Sequence, residues 1–275
     1  MHVGITATCG EIKSTEMTFV HPKKFLGQHF LKDENIALQI CESLTLYNNY
    51  RQVLEIGPGT GILTQHLWAS KNFQTTLIEL DREAYAFLIE KYPDHKNQII
   101  NGDFLHYDLN SRFDEPFAII GNFPYNISTQ ILFRVFDNRD RIPEVVGMFQ
   151  KEVAQRIASP PGSKQYGILS VLLQAFYTIE YLFTVNENVF LPPPKVKSAV
   201  IRLRRNEVET LDCDEKLFVR VVKTAFNQRR KTLRNALSSF RNEENNLSDP
   251  IFNKRAEQLG VEEFVGITRR FAGLQ

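Results

Sequence analysis

The sequence predicts an α/β protein: a mostly parallel sheet whose last strand runs antiparallel, followed by a small all-helical C-terminal region. Three observations predict it. Short apolar runs near 52–56, 73–80, 99–101, 118–120 and 145–149 alternate with amphipathic stretches, the pattern of successive strand–helix units. The first run ends in Gly57-Pro58-Gly59-Thr60-Gly61, a glycine turn feeding a helix marked by Ile62, Leu63, Leu67 and Trp68. After Arg205 the composition shifts to a polar, acidic linker (206–214), and from Leu217 helical periodicity is expected to run to the end. These features divide the chain into an extension over residues 1–20 expected to be disordered, a sheet domain over 21–205, and a helical unit over 206–275.

Element by element, the chain begins with a basic and aromatic leader, His21-Pro22-Lys23-Lys24-Phe25-Leu26-Gly27-Gln28-His29-Phe30-Leu31. Gly27 permits a close backbone approach there. Asp33 or Glu34 then opens a helix through Ile36, Ala37, Ile40 and Leu44. The glycine loop at 57–61 has G-x-G-x-G spacing, not the G-x-G-x-x-G that grips a pyrophosphate. With Glu55 just ahead of it, the loop suits a ligand that carries an amine and no phosphate: an amino-acid-bearing nucleoside. Glu79, at the tip of the second strand, can accept both hydroxyls of a ribose, because an ionised carboxylate is an acceptor on two oxygens. Asp81 is read as the cap of the next helix. Asp103, in the turn after the third strand with Phe104 beside it, can accept an exocyclic amine.

The fourth strand stops at Ile119-Ile120-Gly121-Asn122-Phe123-Pro124-Tyr125-Asn126. Pro124 fixes its own φ and steers Phe123 away from the α region, so the backbone at Asn122-Phe123 is expected to be extended. An amide oxygen at Asn122 and a neighbouring backbone carbonyl can together accept both protons of an amino group, while Tyr125 stacks on the ring that carries it. An ordinary Gly/Asn/Pro turn is the competing interpretation. Helices follow at 128–137, 151–157 and 168–175, and strands at 177–185 and 198–203. Between those strands, Phe190-Leu191-Pro192-Pro193-Pro194-Lys195 is a stiff segment. Two roles for Phe190 are open at this point: a second aromatic wall opposite Tyr125, or a core residue beneath a rigid loop. From Leu217 to Arg241 the bases Arg220, Lys223, Arg229, Arg230, Lys231 and Arg234 meet no acid, a pattern that favours phosphate contact.

Composition is that of an ordinary globular protein, with 43% hydrophobic and 24% charged residues among 275 and a net charge of +1. A near-neutral total excludes general adhesion to nucleic acid, so any basic surface is local. Cys9, Cys41 and Cys213 lack paired spacing and are expected to be reduced, unligated thiols of a cytosolic protein. No apolar run reaches membrane-span length, no metal-ligand spacing is present, and a monomer is expected because no interface signal is visible.

Together these motifs resemble a family. KKFLGQHFL, VLEIGPGTGILT, LIELD, NGDFL, GNFPYNIS, FLPPPKVKSAVIRL and TAFNQRRKTLRNAL are similar to the corresponding stretches of the bacterial small-subunit ribosomal RNA adenine N6,N6-dimethyltransferases. The resemblance runs from about Lys23 to the C-terminus. The glycine loop is common to class I methyltransferases; the GNFPYN and FxPPPKV pair is specific to N6-adenine RNA enzymes. The resemblance implies a Rossmann-like class I methyltransferase sheet and S-adenosyl-L-methionine as cofactor. It implies small-subunit rRNA, in an immature subunit, as partner, with four methyl groups placed on two adjacent adenines near its 3′ end.

It also implies a cofactor site of Gln28, His29, Leu31, Gly57, Gly59, Glu79, Asp103, Phe104 and Asn122. The catalytic set is Asn122, Phe123, Pro124, Tyr125 and Phe190, and the RNA contacts are Arg229, Arg230, Lys231 and Arg234. Two positions depart from the family pattern. Phe123 stands where relatives usually carry Leu, and Lys197 where many carry Asp. A large-subunit rRNA methyltransferase of the antibiotic-resistance type and a non-catalytic ribosome-assembly factor are the alternative readings.

Overall fold

The computed structural model describes residues 20–241 and 247–273. The extension expected over residues 1–20 lies outside the described residues apart from Val20, which is buried.

A two-residue strand β1 (Phe30–Leu31) and helix α1 (Glu34–Glu42) come first. Asp33 is the N-cap of α1, its carboxylate accepting from the Asn35 and Ile36 amides. Then follow β2 (Gln52–Ile56), α2 (Thr64–Ala69), β3 (Gln74–Glu79), α3 (Arg82–Lys91), β4 (Ile99–Asn101), β5 (Phe117–Asn122), α4 (Ser128–Asp137), β6 (Glu144–Gln150), α5 (Lys151–Ala158) and α6 (Ile168–Gln174). The chain continues with β7 (Tyr177–Val185), β8 (Phe190–Leu191), β9 (Ser198–Arg205), α7 (Glu215–Asn227), α8 (Leu233–Ala236) and α9 (Val261–Phe271).

Seven strands form one sheet in the order β4-β3-β2-β5-β6-β9-β7. The pairs β2–β3, β2–β5, β3–β4 and β5–β6 are parallel, and β9 is antiparallel to both of its neighbours. The last strand in the chain is thus the antiparallel one, inserted second from the edge. The central strands are apolar throughout, as a sheet covered by helices on both faces requires: Val53, Leu54, Ile119, Ile120, Val145 and Val146 are all 1% exposed or less. Strand order reverses between β2 and β5, the point where the carboxyl ends of parallel strands splay into a crevice.

One apolar cluster extends from Leu54 and Ile119 through Phe176 and Phe218 to Phe264 and Ile267, so the C-terminal helices pack on the core of the sheet. On the opposite face a second cluster gathers Ile40, Val53, Leu63, Ile120, Met148 and Phe190. Buried Glu144 is satisfied by the Thr45 amide and hydroxyl and by Tyr50 Oη at 2.8 Å, which ties the loop after α1 to β6.

Two expectations are corrected. The C-terminal part is not continuously helical from Leu217. α7 ends at Asn227, a turn carries Gln228 to Lys231, and α8 starts at Leu233, so Arg229 to Lys231 lie on a turn. The stretch from 228 to 232 supplies three bases and two polar side chains but no apolar residue to hold a helical turn against the core. In addition, Phe190-Leu191 is not simply an extended proline-rich run. It pairs antiparallel with Phe30-Leu31, joining the leader to the proline loop.

Candidate active site

A cleft opens at the carboxyl ends of β2, β3, β4 and β5. Of the residues expected to bind a cofactor, Gln28, His29, Gly57, Gly59, Glu79, Asp103, Phe104 and Asn122 all line it, as do Phe123, Pro124 and Tyr125. Leu31 does not. Its side chain is 3% exposed, turned into the second apolar cluster, and it borders a smaller pocket with Glu55, Gly57 and Asn122.

The glycine loop forms because β2 must turn sharply into α2. Gly57 and Gly59 have φ of 66° and 57°, the left-handed region that glycine enters without a Cβ penalty. Space closes the choice at Gly59, where a Cβ would stand 2.8 Å from the Phe30 ring. Glu79 fixes this loop. One of its carboxylate oxygens accepts from Gly59 N–H at 3.0 Å and the other from Asp81 N–H at 2.8 Å. Burial pushes the Glu79 carboxyl up, and these amide bonds pull against it.

Glu55 is 2% exposed and takes one hydrogen bond, from Thr64 Oγ1 at 2.7 Å. Desolvation pushes its carboxyl up to about 8; the Thr64 bond opposes that rise and the charge of Glu79 adds to it.

Asp81 does cap α3, accepting from the Glu83 amide, but sequence reasoning missed its second role. It is 3% exposed and also accepts from Lys23 Nζ at 2.6 Å and Gln28 Nε2 at 3.3 Å. Burial opposes its ionisation, yet these three donors hold the carboxyl below the usual carboxylate range. The charge of Lys23 in this segment was the only available signal.

The segment from Lys23 to Phe30 therefore crosses the cleft as a strap. At one wall it is held by Asp81. At the other, Asn122 Nδ2 donates to the His29 carbonyl at 2.9 Å and Asn126 Nδ2 to the Phe25 carbonyl at 3.2 Å. Gly27 is needed for this approach: its φ is 65°, and a Cβ would lie 2.7 Å from Asn126 Oδ1.

Asp103 accepts from the Leu105 amide at 2.9 Å and pairs with His106 Nδ1 at 2.8 Å. Phe104 is 3% exposed beneath the Arg134 guanidinium.

At the tip of β5, Phe123 is 1% exposed. Its ring fills the space above Gly121 and Gly147 and meets Phe149 edge-on at 5.1 Å. The ring is buried in this glycine-lined space, which explains why an aromatic is accommodated at this position. The Pro124 carbonyl accepts from Ile127 N–H at 3.2 Å and so closes the turn into α4.

Tyr125 hydrogen-bonds Ser198 through Oη at 2.5 Å. Its ring partner is His29, at 5.3 Å between centroids and 29° between planes. His29 Nδ1 donates to the Pro192 carbonyl at 2.7 Å, which fixes the ring. Phe190 is not brought to Tyr125. It is 1% exposed in the apolar cluster under β9, held there by the pairing of β8 with β1, so the core role is the one observed.

The basic residues divide as well. Arg229 donates to the Lys164 carbonyl and Arg234 to Asn253 Oδ1 at 3.0 Å. Arg220 and Lys223 cover the Phe240 and Phe133 rings. Arg230 and Lys231 are exposed.

Among the described residues no group of three or more His, Cys, Asp or Glu side chains is arranged to hold a metal ion, and no helix is long and apolar enough to cross a membrane. Cys41 and Cys213 are free; Cys9 lies outside the described residues.

The chain is similar to known proteins along most of its length. The ribosomal RNA small subunit methyltransferase A of Cytophaga hutchinsonii is 58% identical over 257 residues, covering 94% of this chain and 100% of that protein. The Phocaeicola vulgatus protein of the same name is 57% identical, over 92% of this chain and 91% of its own. Among solved structures, a dimethyladenosine transferase from Plasmodium falciparum superposes with a TM-score of 0.71 at 23% identity, covering 90% of this chain and 99% of that one. The 23S rRNA methyltransferase ErmE gives 0.64 at 26% identity, over 88% and 99%. The family model for ribosomal RNA adenine dimethylase matches residues 20–272, and the chain belongs to that family.

Proposed function

We propose that the protein transfers methyl groups from S-adenosyl-L-methionine to N6 of two adjacent adenines near the 3′ end of small-subunit rRNA, and so takes part in maturation of the small ribosomal subunit. The observation that carries this reading is the position of the Asn122 amide. It stands at the rim of the cleft that Gly57, Glu79 and Asp103 also line.

The residues fit the cofactor. The Glu79 carboxylate, immobilised by two backbone N–H groups, keeps lone pairs for a ribose diol. Asp103 and Phe104 offer an acceptor and an apolar face to an adenine. Gly57, with Glu55 close beneath the loop, suits an amino-acid portion. Bound there, the cofactor supplies a sulfonium methyl, an electrophile that needs no activation by the protein.

The protein's task is the nucleophile. The N6 lone pair of adenine is delocalised into the ring and attacks poorly. Because Asn122 Nδ2 is committed to the His29 carbonyl, its Oδ1 is the end that serves as acceptor. The Pro124 carbonyl closes a turn, so the Phe123 carbonyl is assigned as the second acceptor. Two acceptors on the two N–H bonds favour a pyramidal nitrogen and return the lone pair to it. Orientation and preorganised dipoles supply the rate. As the new N–C bond forms, the bond from the methyl carbon to sulfur would break and leave a neutral thioether; the nitrogen then carries an acidic proton that passes to water, and no strong base is required. Tyr125 stacks on the flipped-out base, with its other face covered by His29. Arg230 and Lys231 are assigned to rRNA phosphates, with Arg229 and Arg234 bracketing them.

Incubation of the purified protein with radiolabelled S-adenosyl-L-methionine and immature small subunits tests this reading. Label recovered as N6,N6-dimethyladenosine in small-subunit rRNA supports it; label only in large-subunit rRNA, or none, overturns it.

A further inference from the structure

Phe25 is 77% exposed, more than any other large hydrophobic side chain among the described residues. A lone exposed apolar residue is ordinary. The framework under this one is not. Phe25 sits in a short helical turn, Lys24–Leu26, closed by Leu26 N–H to Lys23 O at 3.1 Å and Gly27 N–H to Lys24 O at 3.0 Å. Its own carbonyl is held by Asn126 of the GNFPYN loop at 3.2 Å. Lys23, two residues earlier, is locked to Asp81 and Glu83, and its amide N–H donates to Gln28 Oε1 at 2.8 Å. The next residues, Leu26 and Gly27, line the cleft itself. The fold thus fixes the backbone that carries a bare aromatic ring next to residues lining the cleft, beside the exposed side chain of Lys24.

We propose that Phe25 is a stacking platform for an unpaired nucleobase neighbouring the target adenine, with Lys24 meeting the adjoining phosphate. The inference rests on the reading above, that the cleft takes an adenine from single-stranded RNA. A flat ring accepts any base on its π face, and a lysine beside it suits the backbone better than it suits an apolar protein surface. Because the strap is already pinned at four points, little ordering opposes the contact.

The test is affinity for immature small subunits, measured by filter binding with S-adenosylhomocysteine present, so that it does not depend on turnover. Phe25→Ala is expected to weaken binding about 5- to 150-fold, the range that corresponds to one base–aromatic stack. Phe25→Trp should restore it and Phe25→Leu should not, while cofactor affinity by calorimetry stays within about twofold of wild type. With p-benzoylphenylalanine at position 25, the photocrosslink should fall on rRNA.

Unchanged subunit affinity in Phe25→Ala overturns the proposal. So does rescue by Phe25→Leu, a parallel loss of cofactor affinity, or a crosslink to a ribosomal protein. A wild-type protein that binds subunits through Phe25 yet transfers no methyl group overturns the enzymatic reading and leaves this contact standing.

Discussion

Asn122 Nδ2 donates to the main-chain oxygen of His29, 2.9 Å away and 93 residues earlier in the chain. The bond joins the tip of β5 to the strap that covers the cleft, and it occupies the Nδ2 end of the amide. One contact thus ties the strap to the orientation of the Asn122 amide.

Beneath the glycine loop, Glu55 gives the fold a pH dependence. Its folded-state pKa of about 8 lies above the ordinary value of 4.5, so the folded state keeps a proton that the unfolded chain releases. Between those values stability falls as pH rises, and above about 8 the full penalty is present. Glu55→Gln, which retains an acceptor for Thr64, should match wild type at about pH 4, below the ordinary carboxylate value. It should exceed wild type by an amount on the order of 1–4 kcal/mol at pH 8.5, in chemical denaturation. Parallel pH profiles for the two proteins would contradict this.

At the end of β5, the Phe123 ring depends on two glycines. A Cβ at Gly147 would approach that ring to 2.3 Å and the Phe149 ring to 2.7 Å. Gly147→Ala should therefore destabilise the fold by about 1–3 kcal/mol. Adding Phe123→Leu should recover part of the loss, giving a coupling of at least about 0.5 kcal/mol in a double-mutant cycle. Strict additivity would show that the two positions do not share the space.

The sheet was legible because its strands are near-continuous apolar runs ending in Gly57, Glu79, Asp103 and Asn122, and parallel topology carries those ends to one crevice. Residues acting through long-range pairing were not legible. Asp81 looks like a helix cap and is one, but its bonds to Lys23 and Gln28 span 58 and 53 residues. Phe190 reads equally as wall or core until β8 is seen to pair with β1. The basic run from Arg229 to Lys231 has helical neighbours on both sides, and only the absence of an apolar anchor marks it as a turn.

That turn separates the basic residues by availability. Arg229 and Arg234 already have protein partners, whereas Arg230 and Lys231 project into solvent. Replacing Arg230 and Lys231 by Gln should flatten the dependence of log affinity on log salt by about 0.7–0.9 per lost contact, measured on immature subunits. A slope equal to that of wild type would remove this turn from the phosphate-binding surface.

The central claim is that two fixed oxygens, Asn122 Oδ1 and a neighbouring backbone carbonyl, make a planar amine reactive. Single-turnover methyl transfer by Asn122→Ala, with cofactor affinity measured alongside, tests it most directly. The account predicts retained cofactor binding and a transfer rate lower by about 10²–10³-fold, the usual loss when one preorganised polar group is removed. A variant that binds cofactor and transfers methyl groups at the wild-type rate would contradict it.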